Sequence, residues 1–302
     1  MHRFRRFLVI ASIAFLAPAR AMAADIFDQV EHHYVDNGGV KIHYVTRGRG
    51  PLVVLLHGFP DFWYGWRDQI RVLSRRNTVA ALDLRGYNLS DKPQGVSQYG
   101  IGFLASDVAA VIEDLGFERA AIVGHDWGAA IGWFVASLYP EKTAALVVLQ
   151  TPHPRGLLRE LRTNPDQLAR SQYARNFQQE GAHLGFTAAG LAGWVTDPAA
   201  RARYVEAFER SDFEAMLHYY RANYPREPYD DVPLPPVQAP VLIIHGLEDP
   251  FLLPAGHNST WDFVDGPITL VTVPGVSHFI QQDASPLVSR TISLWLNQLH
   301  GR

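Results

Sequence analysis

Ala120-Ala121-Ile122-Val123-Gly124-His125-Asp126-Trp127-Gly128 is the stretch of this chain best built for chemistry. An apolar run ends in Gly-x-Asp-x-Gly, and a helical pattern, Trp127–Leu138, follows at once. A strand that turns sharply into a helix presents one side chain in a strained, exposed position as a nucleophile. The flanking glycines let neighbouring backbone come close. The presented residue here is an aspartate, and a carboxylate that attacks carbon becomes an ester of the protein. The plainer alternative is that Asp126 only caps the helix, since Asp is a favoured N-cap.

Ester hydrolysis requires donors for the developing oxyanion and a base for water. Leu52–Leu56 leads into His57-Gly58-Phe59-Pro60, a strand-to-loop junction upstream of the elbow. The backbone N–H groups of Phe59 and Trp127 are expected to form the hole, with Pro60 stiffening the loop through a cis bond. His278 follows the last apolar strand and precedes the final helix, Pro286–Leu299, where open α/β sheets hold their ligands. Asp249 or the adjacent Glu248, just past the strand Val241–Ile244, could orient its ring. Nucleophile, acid and histidine in that chain order match the sequence of parts in such hydrolases.

The elements around these residues alternate. Gly39–Thr46 reads as a strand, and Leu52–Leu56, Val79–Leu82, Ala120–Val123, Ala144–Leu149, Val241–Ile244 and Ile268–Val273 read as buried parallel strands. Trp66–Arg76, Gly102–Leu115 and Trp127–Leu138 read as helices between them. The fold class is therefore α/β, a mostly parallel sheet with helices on both faces. Between about Thr151 and Val237 no buried strand is found. Gln167–Gln178, Ala199–Arg210 and Asp212–Asn223 predict a helical cap over 152–237, closed by a proline-rich return. The core is then 24–151 and 238–302. Phe177, Phe186, Trp194 and Tyr204 would line an apolar pocket or pack as core.

With 302 residues, 47% of them hydrophobic, the chain can bury a full core. A net charge of -3 without a long like-charge run offers no nucleic-acid partner. There is no cysteine, so disulfides and thiol chemistry are excluded. No H-E-x-x-H zinc motif is present, and His32-His33 reads as a solvated pair. Residues 1–23 have the basic start, short apolar run and Ala21-Met22-Ala23 site of a signal peptide, which predicts a periplasmic or secreted protein without stable membrane insertion after cleavage. Oligomeric state is not legible.

His57-Gly58-Phe59-Pro60, Trp63-Tyr64-x-Trp66-Arg67, Asp83-Leu84-Arg85-Gly86-Tyr87, Gly124-His125-Asp126-Trp127-Gly128, Tyr139-Pro140-Glu141 and Thr151-Pro152-His153-Pro154 together resemble the epoxide hydrolases of the α/β-hydrolase superfamily. The resemblance implies that a small apolar epoxide is opened without cofactor or metal, and that two cap tyrosines protonate its oxygen. Ser171–Gln178 looks like the segment carrying the first, Tyr173, and His218–Arg221 the segment carrying the second, Tyr220, with Tyr219 as its rival. It also selects Asp249 over Glu248. Asn88 and Ala129 stand where glycines are usual, and Gln150 where some relatives carry an acid. The elbow itself is shared with haloalkane dehalogenases. A non-catalytic binding protein on the same fold is the alternative of another class.

Overall fold

The computed structural model describes residues 25–300. The expected signal segment, 1–23, lies outside the described residues. The sheet has eight strands: β1 (Glu31–Asn37), β2 (Val40–Arg47), β3 (Leu52–Leu56), β4 (Thr78–Leu82), β5 (Ala120–His125), β6 (Thr143–Leu149), β7 (Val241–Gly246) and β8 (Ile268–Val273). Their spatial order is β1-β2-β4-β3-β5-β6-β7-β8. β1 and β2 form an antiparallel hairpin, β2 joins β4 antiparallel, and every later pairing is parallel. β3, β5 and β7 are buried throughout, which is why they read as unbroken apolar runs. β8, expected to be buried, is instead half-buried or exposed, because it is the edge of the sheet with a strand on one side only.

The strand order creates the site. From β3 the chain crosses to β4 on one side, then returns to β5 on the other. The carboxyl ends of β3 and β5 therefore flank a topological switch point, the crevice where open α/β sheets bind ligands. His57-Gly58-Phe59 leaves one end and Asp126 the other.

Helices α1 (Arg67–Leu73), α2 (Ile101–Asp114) and α3 (Trp127–Leu138) connect the first strands. Between β6 and β7 come only helices: α4 (Pro154–Thr163), α5 (Pro165–Arg170), α6 (Gln172–Phe177), α7 (Ala188–Leu191), α8 (Pro198–Arg210) and α9 (Phe213–Asn223). Three of them open alike, with a polar N-cap followed by proline at the first helical position: His153-Pro154, Asn164-Pro165 and Asp197-Pro198. The continuous helix expected over Gln167–Gln178 is broken at Ser171 into α5 and α6. Near the C-terminus α10 (Ile280–Asp283) and α11 (Ser285–His300) close the fold.

β1 was not legible. It is an edge strand whose residues are exposed or half-buried, so no apolar alternation marks it. His32 and His33 lie on it, and they are partnered rather than simply solvated. His32 Nδ1 meets His43 Nε2 at 2.9 Å, and His33 Nε2 meets Thr46 Oγ1 at 2.8 Å. No group of three metal-ligating side chains occurs among the described residues. No described helix is long and apolar enough to cross a membrane.

The inserted helices are tied to the sheet by specific bonds. Asn88 occupies φ 39°, a left-handed conformation that Asn tolerates in place of glycine. Its Nδ2 donates to Asp83 at 2.8 Å, and its Oδ1 accepts from Arg210 of α8 at 3.0 Å. Tyr219 of α9 donates to the Arg85 carbonyl at 2.8 Å, and Arg85 is itself paired with the buried Asp107.

Candidate active site

Asp126 sits at φ 52°, ψ −120°, a conformation that non-glycine residues rarely adopt. The close packing around it shows why three glycines are needed. A Cβ on Gly58 would lie 2.4 Å from the Asp126 Cβ, one on Gly128 would lie 2.1 Å from the Leu56 carbonyl oxygen, and one on Gly124 would lie 2.3 Å from the Gly128 carbonyl oxygen. Thr151 Oγ1 donates to the Asp126 carbonyl at 2.9 Å and holds the elbow from the β6 side. Asp126 makes no side-chain cap bond to α3, so the simple capping role is not what its carboxylate does.

Instead, the Phe59 N–H donates to Asp126 Oδ1 at 2.8 Å. The Phe59–Pro60 peptide is cis, as expected. His57 holds the loop from behind: its Nδ1–H donates to the Gly58 carbonyl at 2.8 Å and its Nε2 accepts from the Leu84 N–H at 3.0 Å. Those partners require the neutral ring, and burial lowers its pKa to about 4. Trp127 is the first residue of α3, and its N–H belongs to the turn that has no intrahelical acceptor.

The structure brings His278 to the same carboxylate, with Nε2 3.5 Å from Asp126 Oδ2. Its Nδ1 lies 2.8 Å from Asp249 Oδ2. The other Asp249 oxygen accepts from the Phe251 and Leu252 N–H groups at 2.8 and 3.1 Å. Glu248 is not part of this set. Burial works against charge on all three groups, but their mutual attraction outweighs it. Asp126 and Asp249 are held below the ordinary carboxylate range, and His278 is raised to about 10, chiefly by Asp249.

Gln150 has a bracing geometry. Its Oε1 accepts from the Gly246 N–H at 2.7 Å and its Nε2 donates to the Ser277 carbonyl at 2.8 Å. It thus ties the strand that leads to Asp249 to the loop that carries His278. Sequence reasoning missed two further buried groups. His125 Nε2–H donates to the His278 carbonyl at 2.8 Å. Asp61 accepts from Tyr204 of α8 at 2.6 Å and from the Phe62 N–H at 2.8 Å, and burial raises its pKa to about 7. The only signal for Asp61 was an acid within an apolar stretch directly after Pro60.

A cavity of about 290 Å³ opens over Asp126, and Trp127, Tyr173 and Tyr220 line it. Burial keeps both phenols protonated, well above their usual pKa. Tyr220 packs edge-on against Trp127 at 5.0 Å and faces Tyr173 at 6.0 Å. Tyr219 does not line the cavity, because its hydroxyl is spent on Arg85. Of the two roles open to the four cap aromatics, lining the pocket or packing as core, the structure takes the second. Phe177 and Phe186 pack on Phe59, Trp194 stacks flat on Phe279 at 3.7 Å, and Tyr204 is bonded to Asp61. Besides Tyr173 of α6, the walls come mainly from α3, α4, α9 and the stretch after it.

A carboxylate on a strained elbow, a histidine–aspartate pair beside it and donors at the end of β3 stand together at the carboxyl edge of the sheet. A family profile described as alpha/beta hydrolase fold matches residues 51–284, and the chain belongs to that family. Among its relatives it is similar to epoxide hydrolase 4 of Mus musculus, 32% identical over 88% of this chain and 80% of that one. It is also similar to epoxide hydrolase A of Mycobacterium tuberculosis, 30% identical over 89% of this chain and 98% of that one. Among solved structures, a Bacillus megaterium epoxide hydrolase in complex with an inhibitor superposes with a TM-score of 0.79. It is 35% identical and is matched over 88% of this chain and all of that one.

Proposed function

We propose that this chain is an epoxide hydrolase that converts an epoxide to a vicinal diol through an ester on Asp126. The observation that carries the reading is the pairing, across one cavity, of an attacking carboxylate with two protonated phenols, Tyr173 and Tyr220. An epoxide oxygen leaves as an alkoxide, a poor leaving group unless a proton reaches it as the C–O bond breaks.

Asp126 attacks a ring carbon, the C–O bond breaks, and the oxygen takes a proton from a tyrosine. A hydroxyalkyl ester and a phenolate result. Ester formation neutralises Asp126, and with it His278 loses one of the two charges that hold its pKa up. The imidazolium proton then restores the phenol, and the neutral ring is ready to act as base. It takes a proton from water, and the hydroxide adds to the ester carbonyl. The resulting oxyanion rests on the Phe59 and Trp127 N–H groups. Collapse expels the diol oxygen, which takes the proton from His278, and the Asp126 carboxylic acid left behind passes its proton to the neutral imidazole, restoring the starting ion pair. No step calls on a cofactor.

The test is to give the purified chain styrene oxide and 1-bromobutane in parallel, with Asp126→Ala as control. Diol that disappears in the control, with no bromide released, supports the reading. Bromide without diol would transfer the protein to the dehalogenases, and silence on both would favour a binding protein.

Residues 1–23 support export as a further part of the proposal. Terminal sequencing of protein recovered outside the cytoplasm should begin at Ala24, and a retained Met1 in all fractions would refute it.

A further inference from the structure

We infer that the substrate is a terminal epoxide with a single apolar arm, an inference that rests on the epoxide reading above. The cavity is one-sided. From Asp126 it follows α3 past Trp127, Ala130 and Phe134. Seven residues of helix separate Trp127 from Phe134, an axial rise of about 10 Å. Leu157 of α4 and Val232 of the return stretch contribute to the walls. Asp126 is the one charged side chain among the lining residues.

The flank of Asp126 that carries Phe59 is occupied by aromatic rings. Phe59 meets Phe177 at 5.4 Å and Phe186 at 6.1 Å, and those two meet each other at 5.6 Å. None of the three lines the cavity. Tyr220 forms the boundary, packed edge-on against Phe59 and Phe177 at 5.7 and 5.1 Å while also lining the cavity. An epoxide substituted on both ring carbons needs room in two directions, and its second arm would have to displace this aromatic plug. An epoxide substituted on one carbon uses the arm that exists.

Two isomers with the same atoms separate these cases: 1,2-epoxyoctane and trans-4,5-epoxyoctane. The terminal isomer is expected to show kcat/KM at least about tenfold higher. Phe186→Ala should narrow that preference by loosening the plug. Ala130→Leu, which fills the arm, should lower the ratio of kcat/KM for 1,2-epoxyoctane to that for 1,2-epoxybutane. Equal turnover of the two isomers, or faster turnover of the internal one, would overturn the one-arm inference and leave the epoxide reading intact. Absence of diol from every epoxide would instead overturn the reading on which the inference rests.

Discussion

In the proposed cycle each side chain of the site has a separate job, which its removal should expose. His278→Gln leaves Asp126 able to attack but removes the base for water. Intact-mass spectrometry after mixing with styrene oxide should show protein plus one epoxide, with kcat down by about 10²–10⁴. Tyr220→Phe should slow formation of that adduct. Tyr219→Phe should instead cost about 1 kcal/mol of stability in urea titration, the value of the lost bond to Arg85, with a smaller effect on rate. The ionisations also make a prediction. Asp126 acts as the anion and its pKa is lowered, so kcat/KM should hold below the ordinary carboxylate pKa of about 4 before it falls. For stability the signs differ. The contribution of the lowered Asp126 and Asp249 is present above their unfolded values and is lost as acid is added through the folded ones. The contribution of His278 is complete below its unfolded value of about 6.5 and is lost as pH rises towards about 10. The stability gap between wild type and His278→Gln should therefore shrink across that alkaline window, as denaturation at several pH values would show.

The elements set how tightly these side chains are held. β3, β5 and α3 approach so closely at the elbow that Gly128→Ala would press a methyl group into the Leu56 carbonyl. A loss of about 1–3 kcal/mol is expected, and activity should fall with it because α3 and its Trp127 N–H must shift. Thermal unfolding and kcat measured on one preparation would test both. At this scale the sequence was readable in some places and silent in others, for physical reasons. Asp126 and Asp249 were legible because each follows a buried strand, and buried strands print as apolar runs; His278 was legible because β8 before it, though a little-buried edge, is rich in β-branched residues. β1 was silent because an edge strand with little burial needs no such run. The break at Ser171 was missed because one helical period spans both α5 and α6. For Phe177, Phe186, Trp194 and Tyr204 the sequence left pocket and core both open: residue type says that a ring will pack, but not which face of a short helix points to the cavity. Tyr220 and Tyr219 are adjacent and chemically identical, and only their contacts assign one to the cavity and the other to Arg85.

At the scale of the whole molecule, the inserted helices and the sheet are held together by a few directional bonds as well as by packing. Asn88 reaches both Asp83 beneath it and Arg210 above it. Asn88→Gly keeps the left-handed turn but removes both bonds, so a loss of about 1–2 kcal/mol is expected, read from the urea midpoint. The site is divided along the same boundary. Asp126, His278, Asp249 and the Phe59 N–H all belong to the sheet and its loops, while Tyr173 and Tyr220 belong to the insertion. The two halves of the catalytic cycle thus have different mechanical supports. Warming or mild denaturant that loosens the helices first would delay the making of the ester and spare its breaking, so the slow step would migrate from the second half of the cycle to the first well before the molecule unfolds.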